Sequence, residues 1–417
     1  MKSFLTESDF LRGNKVENLV KEFGTPLYVY SEDIIREHMR NVAGIVKNHP
    51  YTANYSVKAN TNMSILKIAL DEGLNADAMS EGEMRVLLET GFPSDRIFFV
   101  PNNVDIEEIA FAVEHDIIVS LDSLSQLELF GKNFAGHKCA VRINPGVGAG
   151  HHEKVVTAGK KTKFGIAEED IDEIFIIADK YNLTIAGINQ HVGSLFMDPQ
   201  PFLDAVDNFL RVAKKFKNLQ FIDFGGGYGI PYHKLDGEKS FDMDSFSERF
   251  NEKVDRFVEE YGSCPLFKSE PGRYCVAQGG IILGRVYAVK QNSGYKYAGT
   301  DIGMNVLIRP AMYDSWHDME LLRDSEIITC EDDDCEMITV TGNICESGDI
   351  IGKNRMMPPM AEGDLIAVLD AGAYGYSMSS NYNTRRRPAE IMIMSDGSVK
   401  LIRKRETYDD LIRLMRV

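Results

Sequence analysis

Two kinds of hydrophobic pattern alternate from about residue 26 to residue 273. Short, continuously apolar runs are separated by stretches with helical spacing, such as residues 61–72 with Ile65, Leu66 and Ala69 on one side. Continuous apolar strands between helices are typical of parallel strands buried on both faces. The candidate strands cover residues 51–58, 75–79, 97–100, 117–121, 138–144, 184–192, 220–224 and 265–270. Eight such units predict a closed (β/α)8 barrel rather than an open sheet.

The pattern changes after Ala277 to short β-rich runs with turn residues between them and little helix. These runs cover residues 280–290, 296–302, 336–341, 364–370, 390–394 and 399–403. Such spacing is typical of an antiparallel β domain. The predicted fold class is therefore α/β plus all-β. A TIM-type barrel spans residues 26–277, and residues 1–25 and 278–417 form an antiparallel β-sandwich or β-barrel domain.

Composition narrows the class of protein. The chain has 417 residues, 44% hydrophobic and 26% charged, which is typical of a globular protein with a substantial core. Its formal charge of −17 argues against nucleic-acid binding, because phosphate contacts need basic grooves. No window is apolar enough to span a membrane, and the first ten residues do not resemble a signal peptide. The acidic run at residues 331–334 is interpreted as a solvated loop.

The cysteines predict neither a metal site nor a disulfide scaffold. No Cys-x-x-Cys pair is present among the six, which are Cys139, Cys264, Cys275, Cys330, Cys335 and Cys345. This spacing indicates a reduced, cytoplasmic protein without a metal.

Polar residues at the ends of the predicted strands carry the candidate chemistry, since the active site of a parallel barrel lies at the C-terminal ends of its strands. Lys58 closes the first strand. A lysine there is usually only solvated, but partial burial favours the neutral amine that can form a Schiff base. His191 and Ser194 follow the sixth strand, and His191 alone is more often a structural core histidine.

The last two strands suggest a phosphate site and a carboxylate. Phe224-Gly-Gly-Gly-Tyr-Gly229 follows the seventh strand. It is either a flexible turn or a loop whose backbone N–H groups approach a phosphate, as often occurs at this position of a barrel. Glu270 closes the eighth strand. It is either a salt-bridged structural residue or the partner of a pyridine nitrogen, whose protonated ring accepts electrons as a C–C bond breaks.

Together these segments resemble the fold-type III, alanine-racemase-like pyridoxal-phosphate decarboxylases, and among them the diaminopimelate decarboxylases. The resemblance runs from about residue 25 to residue 411. The segments that carry it, in order, are Tyr55-Ser-Val-Lys-Ala-Asn60, Asp77-Ala-Met-Ser-Glu-Gly-Glu83, His191-Val-Gly-Ser194, Gly225-Gly-Gly-Tyr-Gly229, Glu270-Pro-Gly-Arg273, Arg309-Pro-Ala-Met-Tyr313, Cys345-Glu-Ser-Gly-Asp349, Asp370-Ala-Gly-Ala-Tyr-Gly375 and Met378-Ser-Ser-Asn-Tyr-Asn383. Residues 144–165 keep the frame of the family, but their middle varies among relatives and forms a candidate lid loop.

The resemblance implies pyridoxal 5'-phosphate as cofactor and a role for each site residue. Lys58 would hold the cofactor, with Cys345 as the second catalytic residue. The remaining cofactor-binding residues would be Asp77, His191, Ser194, Gly226, Gly227, Glu270 and Tyr374. The substrate-binding residues would be Arg273, Arg309, Tyr313, Glu346 and Tyr374.

In this family Cys345 and Glu346 reach the active site of a neighbouring subunit, so the resemblance also implies a homodimer, and Cys345 would deliver the proton to Cα. The expected reaction converts meso-2,6-diaminopimelate into L-lysine and carbon dioxide, the last step of lysine biosynthesis. Arg273 and Arg309 suit a distal carboxylate, because guanidinium groups bind carboxylates in a bidentate manner.

Several alternatives stay open at this point. A decarboxylase of D-lysine, D-ornithine or L-ornithine would keep the barrel but would need acidic residues for the distal ammonium. An amino-acid racemase would have a different partner-subunit segment from Cys345-Glu-Ser-Gly-Asp349. A non-catalytic pyridoxal-phosphate-binding protein is disfavoured by the second domain.

Overall fold

The computed structural model describes residues 3–144, 163–330 and 334–417. Its contacts divide the chain into two compact units. One, the barrel unit, contains Arg36–Ile230 and Ser240–Cys275, and the other, the β unit, contains Met1–Ile35, Pro231–Lys239 and Val276–Val417. Most of the candidate lid loop and of the acidic run at 331–334 lies outside the described residues.

Eight parallel strands close the barrel, which confirms the predicted fold. They are Tyr51–Ser56, Asn75–Ala78, Ile97–Phe99, Ile118–Leu121, Lys138–Asn144, Thr184–Asn189, Phe221–Asp223 and Leu266–Ser269. Each pairs with the next in chain order, and the last pairs with the first. A two-residue strand, Ile166–Ala167, lies beside the fifth. The strands are mostly buried because helices cover the outer face.

Helices alternate with the strands around the barrel, and the first of them precedes the first strand. They are Glu32–Ala43, Met63–Asp71, Glu81–Thr90, Ile106–Glu114, Leu124–Asn133, Ile171–Lys180, Gln200–Ala213, Met243–Tyr261 and the short Arg273–Val276. Several begin at a side chain that accepts a backbone N–H of the first turn. The capping residues are Ser80, Asp105, Ser123 and Asp242. These caps explain where the helices start after each strand and loop.

The β unit is built on a long strand, Gly280–Asn292, which pairs with two sets of strands. We call these sets the first layer and the second layer. The first layer has the order Glu326–Ile328, Met319–Arg323, Leu365–Val368, Gly280–Asn292, Leu27–Ser31, Ala389–Ile393 and Val399–Arg403. The second continues through Tyr295–Thr300, Glu336–Thr341 and Ile350–Met357. The pairing is antiparallel except for Leu27–Ser31 with Ala389–Ile393 and Tyr295–Thr300 with Glu336–Thr341.

Short helices complete the β unit, and the first residues of the chain belong to its core. The helices are Phe4–Glu7, Val16–Phe23, Arg309–Tyr313 and Tyr408–Ile412. Leu5, Phe10 and Leu19 are buried in one apolar cluster with residues of the first layer. The N-terminal segment therefore contributes to the core of the β unit.

The boundary between the units differs from the expected residue 26. Leu27–Ser31 pairs with Gly280–Asn292 and Ala389–Ile393, so it belongs to the β unit. All five of its residues are buried, so its pattern resembles that of a barrel strand. Pro231–Lys239 also belongs to the β unit, where the Leu235 N–H donates to Asp318 Oδ2 at 2.9 Å.

The expectation that all six cysteines are reduced is wrong for one pair. Cys330 and Cys335 form a disulfide, with their Cα atoms 5.4 Å apart. The separation of five residues did not indicate this bond, because it matches no metal or disulfide spacing considered in the sequence. Within the described ranges, no helix is long and apolar enough to cross a membrane.

Candidate active site

Lys58 lies in the turn Val57–Ala59, directly after the first barrel strand. The Tyr55 hydroxyl donates to the Asn60 carbonyl at 3.0 Å and ties the two ends of this turn together. The Lys58 side chain is half-buried at the C-terminal end of the strand. Its position is therefore set by a closed turn on a rigid strand rather than by a flexible loop.

The charge of Lys58 shifts the pKa values of four titratable groups around it. It lowers the pKa of Asp77, Glu83 and Glu270, opposing the effect of their burial. It also lowers the pKa of His191, adding to the effect of burial. These shifts place the amine near groups contributed by the ends of several barrel strands.

Asp77 and Glu270 are buried carboxylates at this site. Burial raises the pKa of Asp77 well above its usual range, and it also raises the pKa of Glu270. Ser56 donates to Asp77 Oδ2 at 3.0 Å. Asp77 Oδ1 and Glu270 Oε1 are buried and have no hydrogen-bond partner among the described residues. Buried acceptors of this kind are costly unless a donor or a cation meets them, so both favour a ligand with such groups.

His191 is held as a neutral ring. The backbone N–H of Gly226 donates to His191 Nδ1 at 3.3 Å, so that nitrogen is unprotonated. Burial lowers the pKa of His191 well below its usual range, and the charges of Lys58 and Arg142 lower it further. A neutral imidazole fixed on one edge offers a flat face for stacking.

The glycine-rich loop follows the seventh strand as predicted. Gly225 and Gly227 have φ of +71° and +117°, a region that favours glycine. A β-carbon at Gly226 would overlap the Glu270 carbonyl oxygen. Asp223 accepts the Gly225 N–H at 2.9 Å, which anchors the loop to the strand. Glycine at these positions therefore lets the loop pack closely against the ends of the neighbouring strands.

Arg273 and Ser194 contact each other. Arg273 Nη2 donates to Ser194 Oγ at 3.1 Å, although the sequence predicted separate roles for them. Arg273 begins the helix Arg273–Val276 and is buried. The structure thus brings the predicted barrel residues together at one end of the barrel. They are Lys58, Asp77, His191, Ser194, Gly226, Gly227, Glu270 and Arg273.

Arg142 belongs to the same cluster and was missed from the sequence. Arg142 is buried, and its Nη1 lies 3.7 Å from Asp122 Oδ1. Its charge lowers the pKa of both Glu270 and His191. It comes two residues before the end of Lys138–Asn144. Its position near a strand end was the available signal, because a charge inside an apolar strand is rarely without a partner.

Arg309 and Tyr313 lie in the β unit on the short helix Arg309–Tyr313. Arg309 is 2% exposed. Its Nη1 lies 2.7 Å from His317 Nε2, and its guanidinium carbon lies 4.7 Å from the centre of the Tyr232 ring. The guanidinium is therefore held by several groups of its own unit.

Cys345, Glu346 and Tyr374 are also in the β unit. Cys345 and Glu346 are exposed. The Cys345 N–H donates to Asn383 Oδ1 at 3.0 Å, and the Tyr382 hydroxyl donates to Glu346. Tyr374 has φ +56° in the segment after Leu365–Val368. Together with Arg309 and Tyr313, these are the five predicted site residues that are not contributed by the barrel unit.

Comparison with known proteins shows similarity to pyridoxal-dependent decarboxylases over nearly the full chain. Residues 32–277 match the family described as pyridoxal-dependent decarboxylase, pyridoxal binding domain. The chain is 39% identical to a diaminopimelate decarboxylase of Methanothermobacter thermautotrophicus, over 96% of this chain and 94% of that protein. It is also similar to the crystal structure of diaminopimelate decarboxylase from Helicobacter pylori complexed with L-lysine. That match has a TM-score of 0.87 and 30% identity, over 96% of this chain and 98% of the other. A lysine/ornithine decarboxylase from Vibrio vulnificus complexed with putrescine shares the fold, with a TM-score of 0.78 and 22% identity over 92% of this chain and 98% of the other.

Proposed function

The chain belongs to the diaminopimelate decarboxylase family of pyridoxal-dependent decarboxylases, and on this premise we propose how its residues perform the reaction. The protein converts meso-2,6-diaminopimelate into L-lysine and carbon dioxide and depends on pyridoxal 5'-phosphate. The observation that carries the proposal is the pair of buried acceptors without a partner among the described residues, Asp77 Oδ1 and Glu270 Oε1, in a cluster that also contains Lys58.

The barrel residues fit the cofactor. When bound, pyridoxal phosphate supplies a protonated pyridine ring that accepts the electron pair of the breaking bond. Glu270 would hold the proton on the ring nitrogen, since a cation next to its buried carboxylate offsets the cost of burial. The neutral His191 ring would stack on the cofactor, and the glycine-rich loop would bind the phosphate through backbone N–H groups.

Lys58 would hold the cofactor through its side-chain amine. A cation in this position is stabilised by Asp77 and Glu270, whose pKa values it lowers. Neutral amine is needed for attack on a carbonyl, so the proton must leave Lys58. Asp77 is a suitable acceptor for that proton, because burial raises its pKa, and Glu270 stays ionised for the ring nitrogen.

We propose that Arg273, Arg309 and Tyr313 bind the distal carboxylate, and that Glu346 binds the distal amino group. Ser194 and Tyr374 would help to bind the phosphate, although the contact between Arg273 and Ser194 gives Ser194 a second partner. Two arginines would repel the distal ammonium of ornithine or lysine, which favours diaminopimelate over the simple diamino acids.

The test of this assignment compares Lys58→Ala and Arg309→Ala with the wild-type protein, in release of carbon dioxide from meso-diaminopimelate. Lys58→Ala is expected to abolish release, and Arg309→Ala to raise KM strongly. Near-normal turnover by Lys58→Ala would overturn the mechanism. An Arg309→Ala variant with unchanged KM would favour a substrate without a distal carboxylate.

We also propose that the protein is a homodimer in which Cys345 and Glu346 serve the site of the partner subunit. Both side chains are exposed in the single chain, on a segment held by the contacts of Asn383 and Tyr382. Cys345 Sγ would deliver a proton to Cα of the substrate after carbon dioxide has left.

Mixing Lys58→Ala with the strongly impaired Cys345→Ala variant tests this arrangement. Half of randomly exchanged dimers would carry one variant of each kind, and each of these would have one intact site. About a quarter of wild-type activity should therefore return. No recovery after verified subunit exchange would show that each chain uses its own Cys345.

We propose the cytoplasm as the compartment. Cys264 and Cys345 are exposed free thiols, which persist in a reducing environment and support this compartment, whereas the Cys330–Cys335 disulfide is of a kind that is rare there. Cell fractionation tests this, and recovery of the protein in a secreted fraction would contradict it.

A further inference from the structure

His317 is a fully buried histidine that contacts both the backbone and Arg309. Its Nδ1 lies 2.7 Å from the Leu369 carbonyl oxygen, and its Nε2 lies 2.7 Å from Arg309 Nη1. The side chain is 0% exposed. The imidazole therefore links the end of a strand in the first layer of the β unit to the guanidinium.

These two contacts define the protonation state of the ring. A carbonyl oxygen can only accept, so Nδ1 of His317 carries the hydrogen and donates to Leu369. A guanidinium can only donate, so Nε2 is unprotonated and accepts from Arg309. His317 is thus a neutral Nδ1–H tautomer, and each nitrogen has the role that its neighbour requires. Protonation would place two donors against each other at 2.7 Å.

The guanidinium of Arg309 is confined on a second side. Tyr232 lies with its ring centre 4.7 Å from the guanidinium carbon, and the Tyr232 and His317 rings meet edge to face at 5.3 Å. A flat cation between an aromatic ring and a fixed acceptor has few orientations open to it. The plane of the guanidinium is set before a ligand arrives.

We propose that His317 is a positioning residue that orients Arg309 for the distal carboxylate of the substrate. The proposal rests on the role of Arg309 given above. A bidentate bond requires the carboxylate and the guanidinium to be coplanar, so a fixed plane lowers the entropy lost on binding. His317 does not touch the substrate and acts only through Arg309.

Two substitutions separate the two contacts of His317. In His317→Asn, the short amide can still donate to the Leu369 carbonyl but cannot reach Arg309. In His317→Gln, the longer amide places an oxygen near the position of Nε2 and can accept from Arg309. If the contact with Arg309 matters, the His317→Asn variant should bind the distal carboxylate more weakly. The His317→Gln variant should keep most of that binding.

The readout is direct binding of two ligands that differ by one carboxylate. L-Lysine retains the carboxylate that was distal in diaminopimelate, whereas cadaverine lacks it. Calorimetric titration of cofactor-loaded protein gives a Kd for each. His317→Asn should raise the Kd for L-lysine about tenfold, as expected for loss of one hydrogen bond to a charged group, and leave cadaverine within about twofold.

His233→Asn is the matched control. His233 lies in the same unit, is half-exposed, and stacks on Trp316 with ring centres 4.4 Å apart. It should leave both Kd values unchanged. If His317→Asn does not fold, His317→Met takes its place, because methionine fills a similar volume without a strong acceptor.

The binding results test the positioning role of His317 and the role of Arg309 separately. Selective loss of L-lysine binding, with recovery in His317→Gln, supports the positioning role. An unchanged preference for L-lysine in His317→Asn, or an equal loss for both ligands, overturns it. Wild-type protein that binds L-lysine and cadaverine equally would instead overturn the proposed role of Arg309 in diaminopimelate recognition.

Discussion

Replacing Gly272 by alanine should displace the turn that carries Lys58. Gly272 is buried two residues after Glu270. A β-carbon there would lie 2.9 Å from the Ser56 β-carbon and 3.2 Å from that of Ala59. Ordinary contact begins at 3.4 Å, so the turn or the Gly272 backbone must move by about 0.5 Å.

The surroundings of Gly272 limit relaxation. The Ser56 N–H donates to the Pro271 carbonyl at 3.0 Å, which links the two segments that must separate. Overpacking of this kind costs about 1–3 kcal/mol of folding free energy. A 1 Å misplacement of a reacting group costs about 10²-fold in rate, so a shift of half that size should lower kcat about tenfold.

Thermal unfolding, cofactor titration by absorbance and the initial rate of carbon dioxide release measure these effects. Gly44→Ala is the control, because Gly44 is exposed and its β-carbon would lie 3.6 Å from the Arg40 carbonyl oxygen. Gly44→Ala should leave the unfolding temperature near the wild-type value and change the cofactor affinity and kcat less than about twofold. A Gly272→Ala protein with wild-type stability, cofactor affinity and kcat would refute the packing argument.

Three further perturbations have defined outcomes. Arg309→Lys keeps the charge but loses the planar fork, so KM for diaminopimelate should rise about tenfold in initial-rate assays; an unchanged KM would contradict bidentate binding. Cys345→Ala should lower kcat without raising KM, because Cys345 acts after the substrate is bound, and a changed KM alone would contradict its role as proton donor. Burial raises the pKa of Asp370 from 3.8 to about 6, and Lys234 opposes the rise. The folded state therefore binds the proton more tightly than the unfolded chain, and this group makes the free energy of unfolding fall as pH rises from about 4 to about 6. The difference between wild-type protein and Asp370→Asn in urea denaturation should show that slope, and parallel curves would contradict it.

The barrel could be predicted because each of its strands is a separate apolar run with a helical pattern after it. Lys58 and Glu270 were recognisable for the same reason, since each is a charged residue at the end of such a run. Position in a parallel barrel then gave them a common location.

Other features depend on long-range contacts that a local pattern does not contain. Leu27–Ser31 has the hydrophobicity of a barrel strand, and only its pairing with Ala389–Ile393 assigns it to the β unit. Ile350–Met357 was not predicted, because Lys353, Asn354 and Arg355 interrupt its apolar pattern. The same limit explains why the contacts of single polar residues were not foreseen.

His317 illustrates this limit within the site. The sequence places it eight residues after Arg309, a spacing that implies no particular contact. The bond between them arises because the Leu369 carbonyl fixes one side of the imidazole and directs the other toward the guanidinium.

The most direct test of the central claim is carbon dioxide release by cofactor-loaded protein offered meso-diaminopimelate, D-lysine, L-lysine and L-ornithine in parallel. Strong release from diaminopimelate alone, with L-lysine as the product, is the predicted result. Release from a simple diamino acid but not from diaminopimelate would contradict the assignment of Arg273 and Arg309 to a distal carboxylate.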